Sequence, residues 1–72
     1  MTDKEKLALL EDMFEMDEGT LQPTMSLDEI EEWDSMAKLS LIVLIDDECG
    51  KTLTSDDIKG FKTIQNILDF MG

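Results

Sequence analysis

Residues 33–50 read Trp33-Asp34-Ser35-Met36-Ala37-Lys38-Leu39-Ser40-Leu41-Ile42-Val43-Leu44-Ile45-Asp46-Asp47-Glu48-Cys49-Gly50, and this stretch decides how the rest of the chain is read. Asp34 has the chemistry of a helix N-cap, because its carboxylate accepts hydrogen bonds from first-turn amides that have no other partner. Gly50 suits a helix stop, since it tolerates left-handed backbone. A helix is therefore expected over residues 35–49. Its apolar positions include Met36, Leu39, Ile42, Val43 and Ile45, too many for one stripe. A helix that is apolar nearly all round is either central to a bundle or carries an interface. Leu39, Ile42, Ile45 and Cys49 are expected to face the core, with Leu41 and Leu44 extending that face. Met36 and Val43 lie one heptad apart, with Ser40 and Asp47 on the same side, and this side is expected to stay partly exposed. Ser35 falls in the first turn, beside orphan amides and the positive end of the helix dipole. Such a position can hold a phosphate ester.

Upstream, residues 2–16 read as a first helix. Thr2 and Glu5 have capping-box spacing, and Leu7, Leu10 and Phe14 recur on one helical face, widened by Leu9 and Met13. Residues 17–33 form a long acidic connection in which Pro23 argues against a continuous helix. Ser26 and Glu29 are placed to cap a short turn within it, with Leu27 and Ile30 tucked inward. Thr54 or Ser55 is expected to start a short third helix through Asp56, Asp57, Ile58 and Lys59, ending at Gly60. Thr63 is expected to cap the last helix, residues 63–71, where Ile64, Ile67, Leu68 and Met71 give the cleanest amphipathic pattern in the chain. There are no internal repeats and no strand pattern. The expected fold is all-α, a small bundle of three main helices plus one short helix, with a long loop between helices one and two.

The chain has 72 residues, which make one domain spanning 1–72 with a small core. Such a core leaves about 3–5 kcal/mol of net stability by area bookkeeping. The formal charge is −12, from six lysines against eighteen acids. That exceeds the magnitude of about 2–8 that suits a small domain. With no basic stripe, nucleic acid and acidic membrane surfaces are excluded as partners. The natural partner is a protein with a basic patch, met by electrostatic steering. Cys49 is the only cysteine, so no internal disulfide forms. The longest apolar-rich run, 39–45, is too short to cross a bilayer, and no apolar signal segment follows Met1. The reading is a complete, cytoplasmic, monomeric protein. Histidine, arginine and tyrosine are absent, which removes the commonest general base and the Ser-His and Cys-His pairs that activate nucleophiles. An enzyme is not expected.

The run Asp34-Ser35-Met36 resembles the Asp-Ser-Leu attachment motif of acyl carrier proteins, with methionine in the leucine position. The likeness extends along nearly the whole chain. An acidic loop precedes the motif, and the motif opens helix two. That helix ends in the acidic triplet Asp46-Asp47-Glu48. The segment Thr63-Ile64-Gln65 followed by alternating apolar positions is similar to the family's closing helix. The resemblance implies that Ser35 carries 4′-phosphopantetheine, installed from coenzyme A by a phosphopantetheinyl transferase, with Asp34 and Met36 as its neighbours in the motif. It also implies that acyl intermediates ride on that arm as thioesters, for fatty-acid, polyketide or other specialised acyl transfer. Helix two would be the element that acyl-loading, acyl-transfer and synthase enzymes grip, through Val43 as an apolar contact and Asp47 and Glu48 as acidic contacts. Ser40 stands where many fatty-acid carriers have glutamate, and Lys38 where they have an uncharged residue. These departures favour a dedicated set of partners.

Within the class, a peptidyl or aminoacyl carrier, including a D-alanyl carrier, is the main alternative. An unmodified acidic adaptor would share the bundle but hold no cofactor. A calcium sensor fails on spacing: an EF-hand loop needs glycine at its sixth position, and placing Gly50 there puts Ile45 at the first. No metal site is expected. Trp33 is expected to pack the loop onto the bundle or to flank the base of the prosthetic arm.

Overall fold

A computed structural model describes residues 2–72. Helix α1 runs Asp3–Phe14, α2 Ser35–Cys49, α3 Ser55–Gly60 and α4 Ile64–Met71, with a 3-10 turn at Leu27–Glu29 between α1 and α2. Among the described residues there is no strand, only an isolated antiparallel bridge between Ser26 and Thr63. The result is a small all-helical bundle, as the apolar periodicity requires.

Each helix starts on a local signal. Thr2 and Glu5 form a reciprocal capping box on α1, in which the hydrogen bonds from the Thr2 backbone and hydroxyl hold the Glu5 carboxyl below the usual glutamate range. Thr54 and Asp57 form the same device on α3. The start of α4 has a second set of partners as well. The amides of Ile64 and Gln65 donate to the carbonyl oxygens of Met25 and Pro23, at 3.0 and 2.9 Å. Asn66 Oδ1 accepts from the amides of Lys62 and Thr63. Thr63 is the N-cap of α4, as expected, paired with Asn66 in a capping box, while the long loop supplies carbonyl partners for the next two amides. Ser26 makes no side-chain cap on the 3-10 turn. Its backbone lies in the bridge to Thr63, and the turn closes through the Glu29 amide on the Ser26 carbonyl.

Helix α1 ends at Phe14, two residues before the expected stop. Glu15 takes a left-handed conformation with φ 59°, and the Met16 amide donates back to the Glu11 carbonyl at 2.8 Å. This is the six-to-one bond of a Schellman stop, made here without glycine.

The core joins Leu10 and Phe14 of α1, Leu41 and Ile45 of α2, Ile58 of α3 and all four apolar residues of the α4 pattern, with Leu21, Leu27, Ile30 and Leu53 from the connections. Two charged residues are buried within it, Lys6 and Glu11. Glu11 Oε2 accepts from the Leu21 amide at 2.9 Å, which pins the first part of the loop to α1. Lys6 Nζ donates to the Leu68 carbonyl at 3.3 Å, so α1 supplies a cation to the carboxyl end of α4.

The core face of α2 differs from the one the sequence suggested. Leu39 is 59% exposed, and Ile42 and Cys49 are only half-buried. Leu41 and Ile45, with no exposed surface, carry the contact. The helix is turned so that the Leu41–Ile45 line enters the core beside α1, which swings Leu39 out to solvent.

Candidate functional site

Asp34 sits at the N-cap of α2 in extended backbone, and its Oδ1 accepts from the Ala37 amide at 2.9 Å. The Asp34 carbonyl accepts from the Lys38 amide at 3.0 Å, closing the first helical turn. Those two bonds leave the Ser35 and Met36 amides as the free donors of a 15-residue helix. Ser35 is the first residue of α2 and is exposed. The turn that presents it is fixed from behind. The Trp33 amide donates to Ile30, and the half-buried Trp33 ring meets Phe14 edge-on at 6.1 Å between centroids. The loop-packing role expected of Trp33 is what the structure shows. Lys38 Nζ lies 5.7 Å from the centre of the same ring. An ammonium at that range is worth about 0.5–1 kcal/mol at an exposed site.

Beside Ser35, between α2 and α3, is a cleft of about 300 Å3 lined by Leu39, Ile42 and Ile58, with Lys38, Lys59 and Ser55 completing its wall. Two of the six lysines thus flank a cleft that Ser35 lines, in a chain of charge −12.

The remaining residues singled out in the sequence, Met36, Ser40, Val43, Asp47 and Glu48, are all exposed on α2. Met36, Leu39 and Val43, at 71, 59 and 60%, are the large apolar side chains left exposed among the described residues, and all three belong to this helix. Scattered exposed apolar residues are ordinary, and these three are divided between the two sides of α2, Leu39 on the cleft that Ser35 lines and Met36 and Val43 on the side of α1. The structure does not gather every candidate at one spot. Asp34, Met36 and Ser40 border a depression with Met13 of α1, and Ser40, Val43, Asp47 and Glu48 border a second depression with Leu9 and Asp12. Ser35 lines neither.

Sequence reasoning missed Leu39 as a surface residue, and missed the contribution of α1. The available signal was an excess of apolar positions, since Leu9 and Met13 lie beside the line of Leu10 and Phe14 and remain half-buried. Among the described residues no group of three or more potential metal ligands converges, and no helix is long and apolar enough to cross a membrane. No protein-family model, curated protein or solved structure matches the chain.

Proposed function

We propose that the protein is a discrete acyl carrier protein, with an acyl carrier-like bundle, that bears 4′-phosphopantetheine on Ser35 and delivers thioester-bound acyl groups to partner enzymes. The observation that carries the reading is an exposed serine in the first position of a long helix, directly behind an aspartate cap. A phosphodiester there would meet the free amides of Ser35 and Met36 and the positive helix end, a favourable setting worth about 0.3–1 kcal/mol when exposed. The neighbouring residues suit the group. Lys38 and Lys59 line the adjacent cleft and offset the negative charge, and Leu39, Ile42 and Ile58 offer apolar wall to the methylated part of the arm.

When bound, the group supplies the thiol on which cargo is carried. The chain itself presents, positions and docks. Asp34 fixes the helix start so that the Ser35 hydroxyl is offered to a transferase in one place. The exposed face of Met36 and Val43 with Asp47 and Glu48 gives basic partners a small contact steered by charge. Tethering raises the effective concentration of cargo at each partner in turn, so the affinity of each contact can stay modest.

The test is an intact-mass measurement after incubation with coenzyme A, magnesium and a broad-specificity phosphopantetheinyl transferase. The protein is expected to gain one phosphopantetheine, and Ser35→Ala none. No gain in the parent chain, or the same gain in Ser35→Ala, would sink the assignment.

A further inference from the structure

A groove follows the seam between α1 and α2, on the α1 side of α2, whereas the Ser35 cleft lies on the α3 side. It consists of two adjoining depressions of about 230 and 290 Å3, with Met13 and Ser40 lining both. Its apolar wall is made by Leu9, Met13, Val43 and Leu44, the first two contributed by α1. Every charged side chain that lines it is an acid: Asp12, Asp47 and Glu48 at one end, and Glu15, Glu32 and Asp34 at the other. No lysine borders it, although Lys38 and Lys59 both line the cleft on the other side of α2.

A groove with an apolar wall at one end and acids on both the α1 and the α2 side complements an amphipathic helix that has one apolar row and basic flanks. On α2 the lining runs from Asp34 to Glu48, about 21 Å at 1.5 Å of rise per helical residue, and on the α1 side from Leu9 to Glu15, about 9 Å, so both walls face about two turns of an incoming helix. The same acids repel nucleic acid, and they repel a second copy of this chain, which brings a charge of −12 of its own.

We propose that this groove docks a cationic amphipathic helix of a partner protein, with Leu9 and Met13 of α1 contacting it together with Val43 of α2. The docking surface is then the α1–α2 seam and not the outer face of α2 alone, and it exists whether or not Ser35 is modified.

The probe is a synthetic helical peptide of about 14 residues built from lysine, alanine and leucine, with leucines only at helical i, i+3, i+4 and i+7 spacing. It is titrated calorimetrically into the unmodified protein, below its own self-association, beside a peptide of identical composition with shuffled leucines. The ordered peptide is expected to bind at least about tenfold more tightly than the shuffled one, the equivalent of one apolar anchor. Leu9→Lys and Met13→Lys are each expected to weaken binding by about tenfold, while Thr52→Lys, an exposed site outside the groove with the same change of charge, weakens it far less. Thermal melts of each variant confirm that it is folded, and Val43→Lys provides a third groove position that is already exposed. Equal binding of both peptides would reduce the attraction to bulk charge and overturn the proposal. So would loss of binding in Leu39→Lys with none in Leu9→Lys or Met13→Lys, which would move the contact to the outer face of α2. Neither result touches the mass measurement on Ser35, so the two readings fail separately.

Discussion

Asp34 links the local chemistry of the chain to the proposed work of Ser35. Its carboxylate closes the first turn on the Ala37 amide, and this bond decides where α2 begins and hence that Ser35 is its first residue. Asp34→Ala should cost about 1 kcal/mol in denaturant unfolding, within the 0.5–2 range of lost N-caps. Asp34→Ser, which keeps an acceptor, should recover most of it. If Ser restores stability but not transferase-catalysed labelling, the negative charge is itself read by the transferase; recovery of both leaves Asp34 a cap alone. A chain in which alanine costs nothing would show that the helix start is set by packing. Caps of this kind were legible in the sequence because they depend on residues three apart, as at Thr2 with Glu5 and Thr54 with Asp57. The left-handed Glu15 was not legible. Glutamate carries no preference for that conformation, and the stop is imposed by the loop beyond it, where the Leu21 amide is drawn back to buried Glu11. Ser26 makes no side-chain cap for a related reason: its backbone faces Thr63 in a bridge that joins segments far apart in sequence.

Helix α2 shows how far periodicity reaches. Its existence, its limits and its partly exposed Met36, Ser40, Val43 and Asp47 agree with the pattern. Its rotation does not, because a helix with apolar residues nearly all round has no strong preferred face, and the choice falls to the surface offered by α1 and the rest of the core. By contrast α4, with a single sharp stripe, buries Ile64, Ile67, Leu68 and Met71 as its spacing requires. The difference is measurable. Leu41→Ala removes a side chain with no exposed surface and should cost about 2–5 kcal/mol, enough to unfold much of a marginal domain. Leu39→Ala should lie within about 0.5 kcal/mol of the parent, as exposed substitutions do. Chemical denaturation of the two variants decides it, and comparable losses would return Leu39 to the core. The exposed position of Leu39 also has a functional sense, since it places an apolar side chain on the wall of the cleft beside Ser35.

The charge of the chain is not neutralised by its own contacts. Among the described residues one ion pair is formed, Lys6 with Asp3 at 3.6 Å. The other lysine contacts go elsewhere. Lys6 and Lys51 donate to the Leu68 and Phe70 carbonyls at the carboxyl end of α4, and Lys38 lies over Trp33. These cations tie the carboxyl end of α4 to the bundle and fix the loop before Ser35, and among the described residues most of the eighteen acids have no ion-pair partner. Asp46, Asp47 and Glu48 also crowd the negative end of α2, where the helix dipole opposes them. Fold stability and partner binding should therefore respond to salt in opposite senses. Raising sodium chloride from about 0.01 to 0.15 M shortens the screening length from about 30 to 8 Å. That relieves self-repulsion, so the thermal midpoint should rise. Over the same range the association rate with a basic partner should fall, because the steering field is screened. A midpoint that stays flat or drops would show that repulsion does not limit the fold, and that the acids are held in a balance the geometry hides. A rising midpoint with a falling association rate would show one set of charges destabilising the free protein while drawing its partner in, which is the compromise expected of a surface kept for brief encounters.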